Sequence, residues 1–287
     1  MITTFFRTLS AVLLLTLVVA GCSTAFTYRH LDWLIPWYVD GYVDLTRDQR
    51  HLLQDQLWPV LAWHEEEELG HYLDILDRLE TELQKEVSAE QVRSWADEVI
   101  AAVERVEQNM LNVALEFSES LSDEQLAEFM ESVWEEHREY EDEFLSRTDQ
   151  EYVEENAENL EEFLERFTGR LTDRQEDTLL RAAGSLRRFD SVWLEDHEQW
   201  LNTLGPLLKR EPGWEQAIRV AYANRTLQRS QEYTDLLEYN TEVVSTAFAE
   251  VLNSMNEKQR KHVFAEIEDL RSQVQRLLSK RKYSVAD

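Results

Sequence analysis

The first residues able to do chemistry are His64, Glu67, Glu68 and His71, set at i, i+3 and i+4 spacing in one acidic stretch. Glu68-x-x-His71 has the form of one half of a di-iron bundle site, in which facing helices supply a second Glu-x-x-His and two further Glu. The second half is missing. Trp134, Leu194 and Gln259 stand three places before His137, His197 and His262. The competing reading is a solvated helix face with His64 turned to the core. Arg187, Arg188, Trp193, His197 and Trp200, with Arg225 and Arg229 further on, form the richest polar and aromatic cluster. Arginine over tryptophan either packs structurally as a cation–π pair or lines a groove for a ligand or peptide. That groove is the candidate partner site. The carboxylate run from Glu135 to Glu165 is either a solvated face or a loose seat for divalent cations or a basic partner. No Gly-x-Ser-x-Gly elbow and no phosphate loop is present. No catalytic residue, metal or cofactor is expected, and the protein is read as a non-enzyme.

These side chains must be carried by helices. Five times an apolar residue precedes Ser, Thr or Asn, with Gln three places later: Leu45-Thr46 with Gln49, Val87-Ser88 with Gln91, Leu121-Ser122 with Gln125, Leu171-Thr172 with Gln175, and Met255-Asn256 with Gln259. This is the capping box, in which the small side chain accepts from the N3 backbone N–H and Gln reaches back to the N-cap N–H. Apolar residues then recur at a period of 3.6. One line runs from Leu53 through His64 to Leu83, with a kink expected at Pro59; another from Val92 to Phe117. A third runs from Leu126 to Phe167 and weakens near Ser146 to Asp149, before Gly169 as a helix stop. A fourth runs from Leu179 to Leu204, stopped by Gly205-Pro206; a fifth from Trp214 to Val251; the last from Val263 to Leu277. The expectation is an all-α, elongated bundle of six or seven long helices of about 30 to 45 residues, each about 45 to 65 Å long. Helix starts at 46, 88 and 122 and again at 172, 212 and 256 suggest two three-helix halves, 45–168 and 171–287.

Composition agrees. Only 7 Gly and 4 Pro occur in 287 residues, leaving little turn punctuation. The net charge of −29 repels nucleic acid and anionic headgroups, so neither is expected as a partner. The balance reverses late, where Lys258, Arg260, Lys261, Arg271, Arg276, Lys280, Arg281 and Lys282 face five acids. Such a cluster either complements a helix C-terminus or forms a basic patch.

The chain's one cysteine, Cys22, closes an apolar run. Arg7 is the only charged residue among the first 28, nearly every residue from Leu9 to Ala20 is apolar, and Val19-Ala20-Gly21 leads into Cys22. A basic start, a short apolar stretch and small residues before the cut describe a secretory signal at 1–21. The run is too short for a membrane span, which needs about 20 apolar residues. Val19-Ala20-Gly21-Cys22 resembles the lipobox of bacterial lipoproteins. The resemblance implies a diacylated thiol, cleavage before Cys22 and acylation of the new amino group; Ser23, a non-Asp residue, implies sorting to the outer membrane with the body in the periplasm. Residues 22–44 are then a lipidated N-terminus with an aromatic segment, in which Phe26, Tyr28, Trp33, Trp37, Tyr38 and Tyr42 either form an interfacial belt or pack as a short helix on the body at 45–287.

Two wider likenesses follow. The lipobox, Tyr28, Leu31-Asp32-Trp33, Trp37-Tyr38-Val39-Asp40, Leu45-Thr46 with Gln49, Glu68-Leu69 with Tyr72, and Trp193 with Trp200-Leu201 resemble an uncharacterised proteobacterial lipoprotein family (domain of unknown function 6279). That resemblance implies placement and fold but no activity. The Leu-Thr-x-x-Gln pattern at Leu45 and Leu171 is similar to periplasmic stress chaperones of the Spy and CpxP type. The expected function is therefore a membrane-anchored envelope protein that binds or scaffolds another envelope protein. The alternative is a periplasmic holdase chaperone.

Overall fold

A computed structural model describes residues 26–280; the expected signal segment at 1–21, Cys22 and the last seven residues lie outside the described part. Among the described residues the fold is all-α, with eleven helices and no strand. They are α1 (Leu31–Asp40), α2 (Arg47–Trp63), α3 (Leu69–Glu82), α4 (Ala89–Ser118), α5 (Asp123–Ser146) and α6 (Asp149–Thr168), then α7 (Asp173–Ala183), α8 (Asp190–Leu207), α9 (Trp214–Asn224), α10 (Gln231–Asn253) and α11 (Glu257–Ser279). No helix among the described residues is long and apolar enough to cross a membrane.

Each of the five capping signals sits at a helix start. Thr46, Ser88, Ser122 and Asn256 accept from the N3 backbone N–H, and at Thr172 the backbone N–H donates to Gln175 at 2.9 Å. The expected six or seven helices become eleven because three expected helices break and α1 and the α2–α3 junction add the rest. The first break falls at Arg147, where Thr148 and Glu151 form a further capping box and start α6. A second lies between Gly184 and Phe189, and a third between Arg225 and Ser230, whose hydroxyl accepts from the Tyr233 N–H. α8 is not stopped by Gly205-Pro206 but runs to Leu207, since Pro206 falls in its last turn. Gly169 does end α6, with a left-handed φ of 68°.

Helix α2 also continues past Pro59, although proline removes the donor for the carbonyl four residues back. The irregularity comes five residues later as a π turn, His64–Glu68, closed by the Leu69 N–H on the His64 carbonyl.

The main core gathers α1, α2, the start of α3, α4, α5, the end of α8, α9 and the end of α11, with Leu31, Leu57, Leu61, Val133 and Leu201 sealed from solvent. Two smaller clusters close the far end. One joins Leu83, Val92, Ala249 and Ile267; the other joins Leu164, Leu179, Ala247 and Val251.

The cap glutamines tie helices together. Each Oε1 is held by its own N-cap N–H, which leaves Nε2 free to donate across. Gln49 and Gln125 exchange amide hydrogen bonds at 2.8 and 2.9 Å, and each also donates to a carbonyl behind the other's cap, Ser120 and Asp44. Gln175 and Gln259 do the same at 3.3 and 2.8 Å, with Gln259 donating to the Arg170 carbonyl and Gln175 to Ser254 Oγ.

Candidate functional site

Most of the residues able to do chemistry are drawn inward. At the π turn, His64, Glu65 and Glu68 are all buried. The Tyr28 hydroxyl lies 2.7 Å from His64 Nδ1, and the Tyr72 hydroxyl 3.1 Å from Nε2. A neutral imidazole has one N–H and one bare nitrogen, so it donates to one tyrosine and accepts from the other. Burial pushes the His64 pKa down to about 3, keeping the ring neutral. Burial and the neighbouring Glu68 charge push the Tyr72 hydroxyl up. Arg105 of α4 clamps Glu68 through Nε at 2.8 Å and Nη2 at 2.5 Å. His71 faces solvent. Glu68 is buried and held by Arg105 while His71 is exposed, so the two do not converge and the Glu-x-x-His spacing forms no half-site. Among the described residues, no three His, Cys, Asp or Glu are grouped to hold a metal ion.

The arginine and aromatic cluster is divided among four separate local sites. Arg188 is a clamp: it donates to Asp190 at 2.9 Å, to Asp149 at 3.1 Å, and to the carbonyls of Phe144 and Arg147 at 3.0 and 2.9 Å. It thereby holds the α5–α6 break against the start of α8. Arg187 instead lies 3.9 Å over the Tyr239 ring, and its backbone pairs with Asn240. Trp193 stacks on His197 at 5.1 Å, and His197 Nδ1 meets His137 Nδ1 of α5 at 2.9 Å. One of those nitrogens carries the proton and the other accepts it. Burial lowers both pKa values, that of His197 to about 3. Arg225 pairs with the buried Glu107 at 2.9 Å, beside the Tyr222 hydroxyl, which donates to the same oxygen at 2.6 Å. Trp200 packs edge-on against Tyr222. Only Trp200, Arg225 and Arg229 come together around one shallow cleft, which Asp196, Gln199 and Gln228 also line.

The other charged segments are partly spent inside the fold. Arg271 ties α11 to Asp77 at 3.0 Å and to Glu80 of α3, as well as to its own Glu268. Arg260 donates to the Leu83 carbonyl. In the acidic run, Glu136 accepts from Tyr42 and Tyr140, while Glu135, Glu139, Glu154 and Glu158 face solvent.

Helix α1 has two unlike faces. Its inner face, Ile35 and Val39, roofs an apolar cavity of about 120 Å³ that reaches Met110, Phe117, Leu126 and Leu204. Its outer face carries Trp33 and Trp37, 55% and 65% exposed, one turn apart, with Phe26 also 65% exposed before them. The aromatic segment is therefore divided: Tyr28, Leu31 and Ile35 pack on the body while Phe26, Trp33 and Trp37 face outward.

Residues 41–234 match a family of unknown function, DUF6279. The chain belongs to this family. The matched span runs from just after α1 into the start of α10 and takes in Gln49 and Gln125, the π turn and the arginine and aromatic cluster. No curated protein and no solved structure matches the chain. The family thus brings no activity with it, and any function must be argued from the residues.

Proposed function

We propose that this DUF6279 member is a lipoprotein of the cell envelope, anchored through acylated Cys22 on the periplasmic face of the outer membrane. Its helical body is a non-enzymatic binding or scaffold element for another envelope protein. Cys22 carries the reading: it stands directly behind an apolar run that opens with one basic residue, and nine positions before α1. Three acyl chains hold a protein far more firmly than one, since each buried CH₂ contributes about 0.8 kcal/mol. The interior supports a binding rather than a reacting role. His64 has both ring nitrogens engaged by tyrosines, Glu68 is clamped by Arg105, and Glu107 holds Arg225 and Tyr222. These groups hold helices in place, which leaves the long lateral faces for recognition.

The test is metabolic labelling with a clickable palmitate, followed by membrane fractionation of the wild type and a Cys22→Ser variant. Label on the wild type alone, in the outer-membrane fraction, is the expected result. An unlabelled wild type, or one recovered in the cytosol, overturns the anchor. In-cell crosslinking from the exposed helix faces then tests the scaffold: one stoichiometric partner is expected, whereas a broad mixture of unfolded envelope proteins would favour a holdase.

A further inference from the structure

We infer that the outer face of α1 is a membrane seat, on which Trp33 and Trp37, with Phe26 before them, enter the headgroup zone of a zwitterionic bilayer. The inference rests on the lipid anchor proposed above and adds how the body is held against that bilayer.

Exposure comes first. Tryptophan has a large apolar surface, yet Trp33 and Trp37 are 55% and 65% exposed at i, i+4 spacing on one helix. They point outward because the opposite face of α1 is committed. Leu31 and Ile35 are buried in the main core. The Tyr28 hydroxyl is pinned to His64 at 2.7 Å. Asp40 closes the other end, accepting from Arg50 at 2.7 Å and from the Leu45 N–H at 3.1 Å. α1 is thus a rigid mount, and its two tryptophans cannot turn inward without undoing it.

The position of the anchor says what covers this face. Only Ser23, Thr24 and Ala25 separate Cys22 from Phe26. A four-residue step spans at most about 14 Å when fully extended. A chain held by acyl groups at Cys22 therefore keeps Phe26 within reach of the interface, where tryptophan is the favoured residue. Charge says which lipid. Between Phe26 and Trp37 the charged residues are Arg29 and Asp32, which balance to zero with His30 counted neutral, although the whole chain carries −29. A neutral seat on so acidic a body fits zwitterionic headgroups and disfavours an anionic surface.

The experiment reconstitutes the purified full-length lipidated protein in phosphatidylcholine vesicles containing bromine-labelled phosphatidylcholine. Tryptophan quenching is read alongside the intact mass, which reports acylation of Cys22. Wild type should be quenched, and a Trp33→Phe/Trp37→Phe variant of unchanged circular dichroism should lose that quenching. An acylated wild type with no bromolipid quenching, or quenching that survives in the double variant, overturns the seat and leaves the anchor standing. A non-acylated protein that is still quenched through these two tryptophans overturns the anchor and supports the seat. As an independent readout on wild type alone, reconstitution should reduce acrylamide quenching; unchanged acrylamide access also overturns the seat.

Discussion

Gln49 with Gln125, and Gln175 with Gln259, build the same clasp in two places. In each, two capping boxes face one another, the amides exchange hydrogen bonds, and a spare donor reaches the carbonyl two residues before a cap. The packing around them corresponds too: α2 lies on α4 as α7 lies on α10, and α3 lies on α11 as α8 lies on α5. The two clasps differ in solvent. Gln175 and Gln259 are 2% and 3% exposed, whereas Gln49 and Gln125 are half-buried at the surface. The same amides should therefore matter more at the second corner, because a buried polar group with no partner costs more than one that water can satisfy.

The sharpest separation of the two ends comes from acid, which acts on histidines and leaves amides unchanged. His64 and His197 are buried with pKa values near 3, below the ordinary value of 6.5. As pH falls from 6.5 towards 3, the unfolded chain takes up protons that the folded chain refuses. Stability is therefore full above pH 6.5 and is lost through that window, at up to about 1.4 kcal/mol per pH unit for each histidine. Both residues lie at elements of the main core, as does the first clasp, while neither amide clasp titrates. Thermal melts across pH 7 to 4 should show the decline, and His64→Gln should flatten its slope. Hydrogen exchange at pH 4.5 should open α2 and α3 before α7. Uniform loss of protection would break the distinction.

Next in size are the clasps themselves. Gln175→Ala removes a capping partner and leaves the buried Gln259 amide short of an acceptor; the expected loss is about 2–3 kcal/mol in urea unfolding. Gln49→Ala, with water able to replace its partner, should cost about 1 kcal/mol. Double-mutant cycles sharpen this further: coupling between Gln175 and Gln259 should exceed that between Gln49 and Gln125. Equal costs at both corners would show that solvent access does not decide the matter.

The clasps also mark how far the sequence could be read. The capping boxes at Thr46, Ser88, Ser122, Thr172 and Asn256 are local patterns, and all five stand at helix starts. Thr148 with Glu151 is also a capping box, but with Glu in place of Gln and Arg147 in place of the apolar residue before the cap, so the α6 start was legible only in part. The break between Arg225 and Ser230 contains neither Gly nor Pro; its one sign in the sequence is a lapse of the apolar period between Tyr222 and Tyr233, where Leu227 is the one large apolar residue and faces solvent. Which glutamine meets which depends on helices up to 84 residues apart, which no local pattern encodes. The same limit governs the arginine and aromatic cluster. Spacing put Arg187, Arg188, Trp193, His197, Trp200 and Arg225 on neighbouring segments, but their partners, Tyr239, Asp149, His137 and Glu107, come from other helices. Those partners decide that most of the cluster is spent on packing. The division of α1 into a buried and an exposed face was partly legible, since Leu31 and Ile35 share a helical side that Trp33 does not.

Effects of about the size of the exposed clasp's, and opposite in sign to one another, come from two glycines, one beside the second clasp and one beside the π turn. Gly169 precedes the Leu171-Thr172 cap and has φ of 68°, and a Cβ built on it would lie 3.3 Å from the His262 ring. Gly169→Ala should therefore destabilise by about 1–2 kcal/mol, the cost of a left-handed non-glycine residue. Gly70 lies in α3 with nothing within 4 Å of an added Cβ and has no left-handed φ. Gly70→Ala should stabilise by about 0.5–1 kcal/mol, since alanine loses less backbone entropy in a helix. Urea midpoints on the two variants should move in opposite directions. The Gly70 result also bears on the π turn immediately before it. If that turn tolerates a stiffer following helix, the midpoint rises. A fall would mean that the wide turn at His64–Glu68 needs glycine's freedom to rejoin the α-helix, and that its geometry is held under strain.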